Sequence, residues 1–290
     1  MKRYRVIVID FDSRALTFDP IQQHWEDHVK ELHLQNQERT IARLRAEYGE
    51  DSFDAKLENF KALGPKPFSV VAYHNRFLSQ SRHAFVFGQY YPALTAACAL
   101  GERILNHLII GLRDCYKSHP VYKMVYRKKS FDYWPLVIDT LAEWGVLTAE
   151  ATISFRLLNE KRNNALHFNL TTELNDRQLA LEAIKNLEEI VNHQFSGFGL
   201  LPWLLPSPGE CFIKKEFESS PFVQLVYLPN CVYLGYKHVV TRVFPWEFQD
   251  ADDYVTRPAI CRQRSRLYLQ ILVGIYRLYG LISSKGDRWS

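Results

Sequence analysis

Phe155-Arg156-Leu157-Leu158-Asn159-Glu160-Lys161-Arg162-Asn163-Asn164-Ala165-Leu166-His167-Phe168 is the stretch whose reading decides the fold. Leu, Ala, Glu, Lys and Arg dominate it and neither Gly nor Pro interrupts it, so it reads as helix. At about 100° per residue, Phe155, Leu158, Ala165 and Leu166 fall within roughly 60° either side of Arg162. A guanidinium therefore stands in the middle of an apolar face. Beside it runs a polar stripe of Arg156, Asn159, Asn163 and His167, in which Asn163 and His167 are i, i+4 neighbours. A desolvated cation costs several kcal/mol unless paired. Arg162 is then either a structural cation with a carboxylate partner or a group that serves an anionic ligand.

The run Arg162-Asn163-x-x-x-His167, late in one helix and followed by another long helix, resembles the signature of HEPN domains. Two other Arg…His spacings lack that context: Arg76 is followed by Phe77, and His119, after Arg113-Asp114, stands directly before Pro120, which favours a helix end. The resemblance covers roughly residues 76–195 and implies a metal-independent ribonuclease site of Arg162, Asn163 and His167, with no cofactor. It implies cleavage by the RNA 2′-hydroxyl, leaving a 2′,3′-cyclic phosphate and a 5′-hydroxyl. His167 would move protons, because its ordinary pKa lies near neutrality. The planar fork of Arg162 would stabilise charge on phosphorus, and Asn163 would orient His167 or hold the phosphate. The biological setting implied is a toxin or a defence effector, with an antitoxin or defence partner protein. Some relatives are silenced on a Tyr two residues after the His; here that position is Asn169, so that control is not expected.

Arg162 and His167 point about 140° apart around one helix, so one copy does not easily focus both on a single phosphate. Two such helices across a two-fold axis would, which predicts a homodimer packed through this helix. The alternative is a non-catalytic HEPN-like scaffold that binds RNA or nucleotide.

The rest of the chain bounds this reading. With 290 residues and 47% hydrophobic side chains it is long enough for one large domain or two to three small ones. A formal charge of +4 permits a polyanionic partner without demanding one. Cys98, Cys115, Cys211, Cys231 and Cys261 show no paired spacing and read as reduced thiols of a cytoplasmic protein. The apolar run from Leu267 to Ile282 is broken by Arg277, so no membrane span is expected.

In chain order, Tyr4 to Phe11 reads as a buried strand, with Asp10 and Asp12 ending it rather than acting as phosphatase nucleophiles. A charged helix is expected from an Asp19 cap and Pro20 to Tyr48, and a second from Phe53 to Leu63. His24 and His28 share a helical spacing without a third ligand and read as a solvated face. Tyr73 to Tyr116 is helical with a break near Gly88 to Pro92, and its Ala93, Ala96, Ala97 and Ala99 suit close packing in a bundle core. Glu102 lies on that face and either pairs with Arg162 or reaches water. Asn159 joins it as a supporting residue.

Lys123, Arg127, Lys128 and Lys129, interleaved with Tyr122 and Tyr126, form a basic loop. With Arg156, Lys128 and Lys129 are the expected RNA contacts. Further helices are expected from Ser130 to Trp144, from a Thr148 cap through the motif, and from an Asp176 cap to His193. Beyond the Gly- and Pro-rich 196–209, Cys211–Phe217, Phe222–Leu228 and Cys231–Phe244 read as strands. A closing helix runs from about Ala259 to Ile282, headed by Arg262, Arg264 and Arg266 and preceded by the acidic Asp250 to Asp253. The fold class is therefore mainly α. Its parts are an N-terminal strand with charged helices over 1–66, a HEPN-like helical bundle over 67–195, and a β-rich C-terminal region with a closing helix over 196–290.

Overall fold

The computed structural model describes residues 4–7, 10–69, 74–166, 176–196, 201–204, 213–230, 232–235, 238–243 and 246–250. The elements run β1 (Tyr4–Ile7), β2 (Asp10–Asp12), α1 (Asp27–Tyr48), α2 (Phe53–Leu63), β3 (Lys66–Ser69), α3 (His74–Val86), α4 (Tyr90–Leu112), α5 (Tyr122–Val125), α6 (Trp134–Glu143), α7 (Ala149–Leu166) and α8 (Asp176–Phe195). Three short strands follow, β4 (Val232–Gly235), β5 (His238–Val243) and β6 (Trp246–Asp250). The protein is mainly helical. His167, Asn169, the acidic residues after Asp250 and the expected closing helix with Arg262, Arg264 and Arg266 lie outside the described residues.

Helix α4 is the hub. Its buried side chains repeat at helical spacing from Ala93 and Leu94 through Ala97, Cys98, Gly101, Leu105 and Leu108 to Leu112. It packs against α3, α6, α7 and α8. It is also the one helix among the described residues long and apolar enough to cross a membrane, and more than half of that stretch is buried inside the protein. The small residues Ala93, Ala97 and Gly101 let neighbours approach closely. A Cβ built on Gly101 would lie 2.6 Å from Leu158 Cδ2 and 2.7 Å from Trp134 Cη2. That glycine sets how near α7 and α6 come to the residue beside it, Glu102.

Helix α7 is fixed at its start and along its side. The Thr148 hydroxyl accepts the Ala151 N–H at 3.1 Å and donates to the His193 carbonyl at 3.2 Å. Gln194, fully buried, accepts the Thr148 N–H at 3.0 Å and donates to the Val146 carbonyl at 2.9 Å. Further along, Lys161 pairs with Glu182, so α7 and α8 run antiparallel. Phe155, Leu158 and Ala165 are buried, as the helical period predicts.

The N-terminal helices share this core. Asn59 on α2 donates to the Phe85 carbonyl at 3.2 Å and accepts from Arg177 Nε at 3.0 Å, joining α2 to the end of α3 and the start of α8. Leu44, Phe60 and Leu63 belong to the same buried cluster as α4 and α8. Strand β2 pairs antiparallel with β3, and β1 pairs antiparallel with β4, Tyr4 opposite Gly235. The first strand of the chain thus joins the C-terminal strands, while β5 and β6 form a hairpin.

Four expectations are corrected. Helix α1 begins at Asp27, not at Asp19 and Pro20, because the residues before it fold back along the helix. His33 Nε2 lies 3.1 Å from the Asp19 carbonyl and its ring meets Trp25 edge to face. The helix α6 starts at Trp134 rather than Ser130, since Asn106 holds the Phe131 main chain at both its N–H and its carbonyl. The stretch Phe222–Leu228 is helical, not a strand. Phe222, Val223 and Tyr227 are buried at helical spacing against Phe195 and Trp203, and the Tyr227 hydroxyl donates to the Ser196 carbonyl at 2.7 Å. Burial overrode a β-branched and aromatic composition. In Cys211–Phe217 the described part holds one bridge, Ile213 to Leu204, and a turn of 3-10 helix at Lys215–Phe217.

Two outcomes follow from this packing. Gly101→Ala should lower the unfolding free energy by about 1–3 kcal/mol through overpacking against Leu158 and Trp134, read as an earlier urea midpoint. His74 is buried beside His107; burial pulls its pKa down to about 3, with the His107 and Arg103 charges adding to the effect. An unfolded histidine titrates near about 6.5, so between those values only the unfolded chain binds this proton. Stability should fall as pH drops below about 6.5, with a slope of up to about 1.4 kcal/mol per pH unit from this group. His74→Gln should flatten the slope in urea titrations at pH 7 and pH 5.

Candidate active site

Arg162 leaves the buried face of α7 and reaches α4. Its Nη2 lies 2.9 Å and its Nε 3.1 Å from one oxygen of Glu102, Oε2. The same oxygen accepts the indole N–H of Trp134 at 3.2 Å, and the Trp134 ring lies 5.6 Å from Arg162 Cζ. Of the two alternatives for Glu102, the pairing with Arg162 is present, through a single carboxylate oxygen. A guanidinium carries five N–H donors, and no other described residue accepts from this one, so both donors of Nη1 remain for a ligand.

The pair sits at the rim of the core. The Arg162 side chain is 17% exposed and that of Glu102 36%. Below them is Cys98, whose thiol is pushed up to about 12 by burial while the Arg162 charge pulls the other way. Asn159 is half-buried and Asn163 exposed on the same helix. His167 lies one residue past the end of α7, outside the described residues. The structure therefore brings Arg162 and Glu102 together, adds Trp134, and does not describe the imidazole.

Among the expected RNA contacts, Arg156 is exposed and pairs with Asp139 at 2.6 Å. Lys128 and Lys129 are exposed, with Lys128 Nζ 5.5 Å from the Phe131 ring centre. His28 pairs with Glu26 at the surface, and no group of three or more metal-ligating side chains occurs among the described residues. Arg113, the start of the competing Arg…His spacing, spends its Nη1 on the Val125 and Lys128 carbonyls.

Trp134 and Gly101 were not legible as site residues. Trp134 lies 28 positions before Arg162 in the sequence, and nothing in its helix-start context points at a carboxylate. The only local cue to Gly101 is its place beside Glu102 in an alanine-rich helix.

A second arginine in the bundle is more deeply buried than Arg162. Arg82 on α3 pairs with Glu188 on α8, both nearly sealed from solvent, and donates to the Gly64 carbonyl at 2.6 Å. Burial pushes the Glu188 carboxyl up, and Arg82 and Lys185 oppose that rise.

Compared with known proteins, the chain matches no family model, no curated protein and no solved structure.

The two arginines should respond differently to truncation. Arg82→Ala strands a buried carboxylate and should cost about 3–5 kcal/mol. Arg162→Ala frees a Glu102 carboxylate that already reaches solvent and should cost about 1 kcal/mol. Urea unfolding of both variants measures the contrast; equal losses would make Arg162 as structural as Arg82.

Proposed function

We propose that this chain is an endoribonuclease of the HEPN type, active as a homodimer through α7, in which residues 67–195 form the HEPN-like bundle. The observation that carries the reading is the partly exposed guanidinium of Arg162 at the rim of the core. It is anchored by one oxygen of Glu102, backed by Trp134, and among the described residues has no other acceptor for its remaining N–H donors. A positioned fork with free donors at the rim of a low-dielectric core is suited to a phosphate.

In this mechanism the 2′-hydroxyl attacks the adjacent phosphorus while an imidazole, His167 of one copy, takes its proton. The bond from phosphorus to the 5′ oxygen breaks, and the imidazolium of the second copy protonates the leaving oxygen. Arg162 stabilises the extra negative charge at phosphorus, and Asn163 orients the imidazole or the phosphate. Glu102 acts as a positioning residue for Arg162, with Asn159 beside it. A 2′,3′-cyclic phosphate and a 5′-hydroxyl result.

Ile153 and Leu157, one turn apart on α7 and 59% and 43% exposed, offer a second copy an apolar stripe on the side of the helix roughly opposite Arg162. Apolar side chains in such a position suit a second copy of the same helix. A cytoplasmic toxin or defence effector restrained by a partner protein fits this chemistry. A non-catalytic RNA-binding scaffold is the second reading, favoured by the fact that Arg162 already has its carboxylate within one protomer.

Incubation with total RNA and with tRNA, with the cut ends mapped, tests the proposal. Arg162→Ala and His167→Ala should each lower cleavage at least about a hundredfold while light scattering still reports a dimer. Leu157→Glu should give an inactive monomer. Undiminished cleavage by His167→Ala removes the mechanism, and binding without cleavage by the wild type favours the scaffold.

A further inference from the structure

The segment between α5 and α6 is built as a platform rather than as a loose connector. Its main chain is pinned at two places on α4 and the turn after it. At one end Arg113 Nη1 donates to the Val125 carbonyl at 3.1 Å and to the Lys128 carbonyl at 2.6 Å. At the other, Asn106 accepts the Phe131 N–H at 2.7 Å and donates to the Phe131 carbonyl at 2.9 Å, with the Phe131 ring buried. Asn106 also sits one helical turn after Glu102 and donates to the Glu102 carbonyl at 3.0 Å. The second anchor is thus on the same turns of α4 that hold the Arg162 site.

What the pinned segment presents is cationic and aromatic. Residues 126–130 are all exposed, as are Asp132 and Tyr133. Tyr133 is 65% exposed and Tyr126 37%, and Met124 just before them is 57% exposed. Arg127 lies 4.9 Å from the Tyr126 ring centre. Between Lys123 and Tyr133 there are four cations, Lys123, Arg127, Lys128 and Lys129, against one acid, Asp132. Tyr133 immediately precedes Trp134, whose ring and indole N–H close the Arg162–Glu102 pair.

The Tyr126 ring also lies 5.5 Å from that of Tyr122, so its exposed side is limited, while Tyr133 is open; a row of cations beside such rings suits a polyanion with flat faces. Bases inside a duplex are already stacked and offer no free faces to a ring. Single strands offer both the backbone charge and free base faces, and rings interleaved with Arg and Lys are how such strands are held without sequence readout.

We propose that the 123–133 segment is a docking platform for single-stranded RNA, in which Tyr126 and Tyr133 stack on unpaired bases, Arg127, Lys128 and Lys129 track the phosphates, and the strand is led toward Arg162. The inference rests on the ribonuclease reading for its purpose, but binding to the platform is independent of cleavage.

The test uses the full chain carrying Arg162→Ala, so that the probe is not cut. Fluorescence anisotropy follows a labelled oligoribonucleotide of about a dozen residues and the same strand annealed to its complement. The double variant Tyr126→Ala with Tyr133→Ala should weaken single-strand binding about tenfold to a hundredfold and leave duplex binding nearly unchanged. Lys128→Ala with Lys129→Ala should weaken both and reduce the slope of log affinity against log salt by about 0.7 per charge on the single strand. Replacing Tyr by Phe at both positions should restore single-strand binding. Single-strand affinity unchanged by removal of both rings overturns the platform, as does equal loss on duplex and single strand. If the wild type cuts no RNA yet the tyrosine variant loses single-strand binding, the platform stands and the nuclease reading falls; if the wild type cuts RNA and the tyrosine variant binds like its parent, the reverse holds.

Discussion

The close approach of α7 and α6 to α4 at Gly101 is the constraint on which the site depends. A side chain there would meet Leu158 and Trp134 at less than van der Waals distance. With only hydrogen at that position, Glu102 comes within hydrogen-bond reach of both Arg162 and the Trp134 indole. Three elements that are far apart in sequence then converge on one carboxylate oxygen. Burial of Phe155 and Leu158 on one side and of the α4 stripe on the other holds the helices together, and dense packing makes the separation stiff.

Two arginines in the same bundle show how burial divides structural from chemical roles. Arg82 is enclosed with Glu188 and also donates to the Gly64 carbonyl. Arg162 meets its carboxylate at a rim, through one oxygen, with donors unspent. Coulombic attraction inside a protein is strong, but so is the desolvation that must be offset. Arg162, at 17% exposure against 7% for Arg82, keeps more contact with water. The pinned segment before α6 extends the same logic outward, because Asn106 ties it to the turn that carries Glu102.

Much of the framework was legible. Helical periodicity located α2, α3, α4, α7 and α8, the glycine turn between α3 and α4, and the Thr148 and Asp176 starts of α7 and α8. The expectation that Glu102 faces Arg162 came from the two helix faces alone. Where the reading failed, nonlocal contacts had overridden local preference. Residues 19–26 carry a helix-start pattern, yet contacts of Asp19 and Trp25 with His33 hold them back along α1. Phe222 to Leu228 has the composition of a strand, yet a pocket formed by Phe195 and Trp203 rewards helical spacing. Trp134 gave no sign of its role, because a hydrogen bond to Glu102 depends on how α6 lies across α4.

By itself, then, the sequence determined the mainly helical class, the amphipathic faces, the Thr148 cap, and the placement of a guanidinium on an apolar face with Asn163 beside it. These follow from backbone geometry and from the free energy of burying side chains at a 3.6-residue period. Only the tertiary structure decided that Arg162 stays at a rim while Arg82 is sealed, that Trp134 joins the first of these, and that the first strand pairs with Val232–Gly235. Those outcomes depend on which surfaces meet, and distance along the chain carries no information about that.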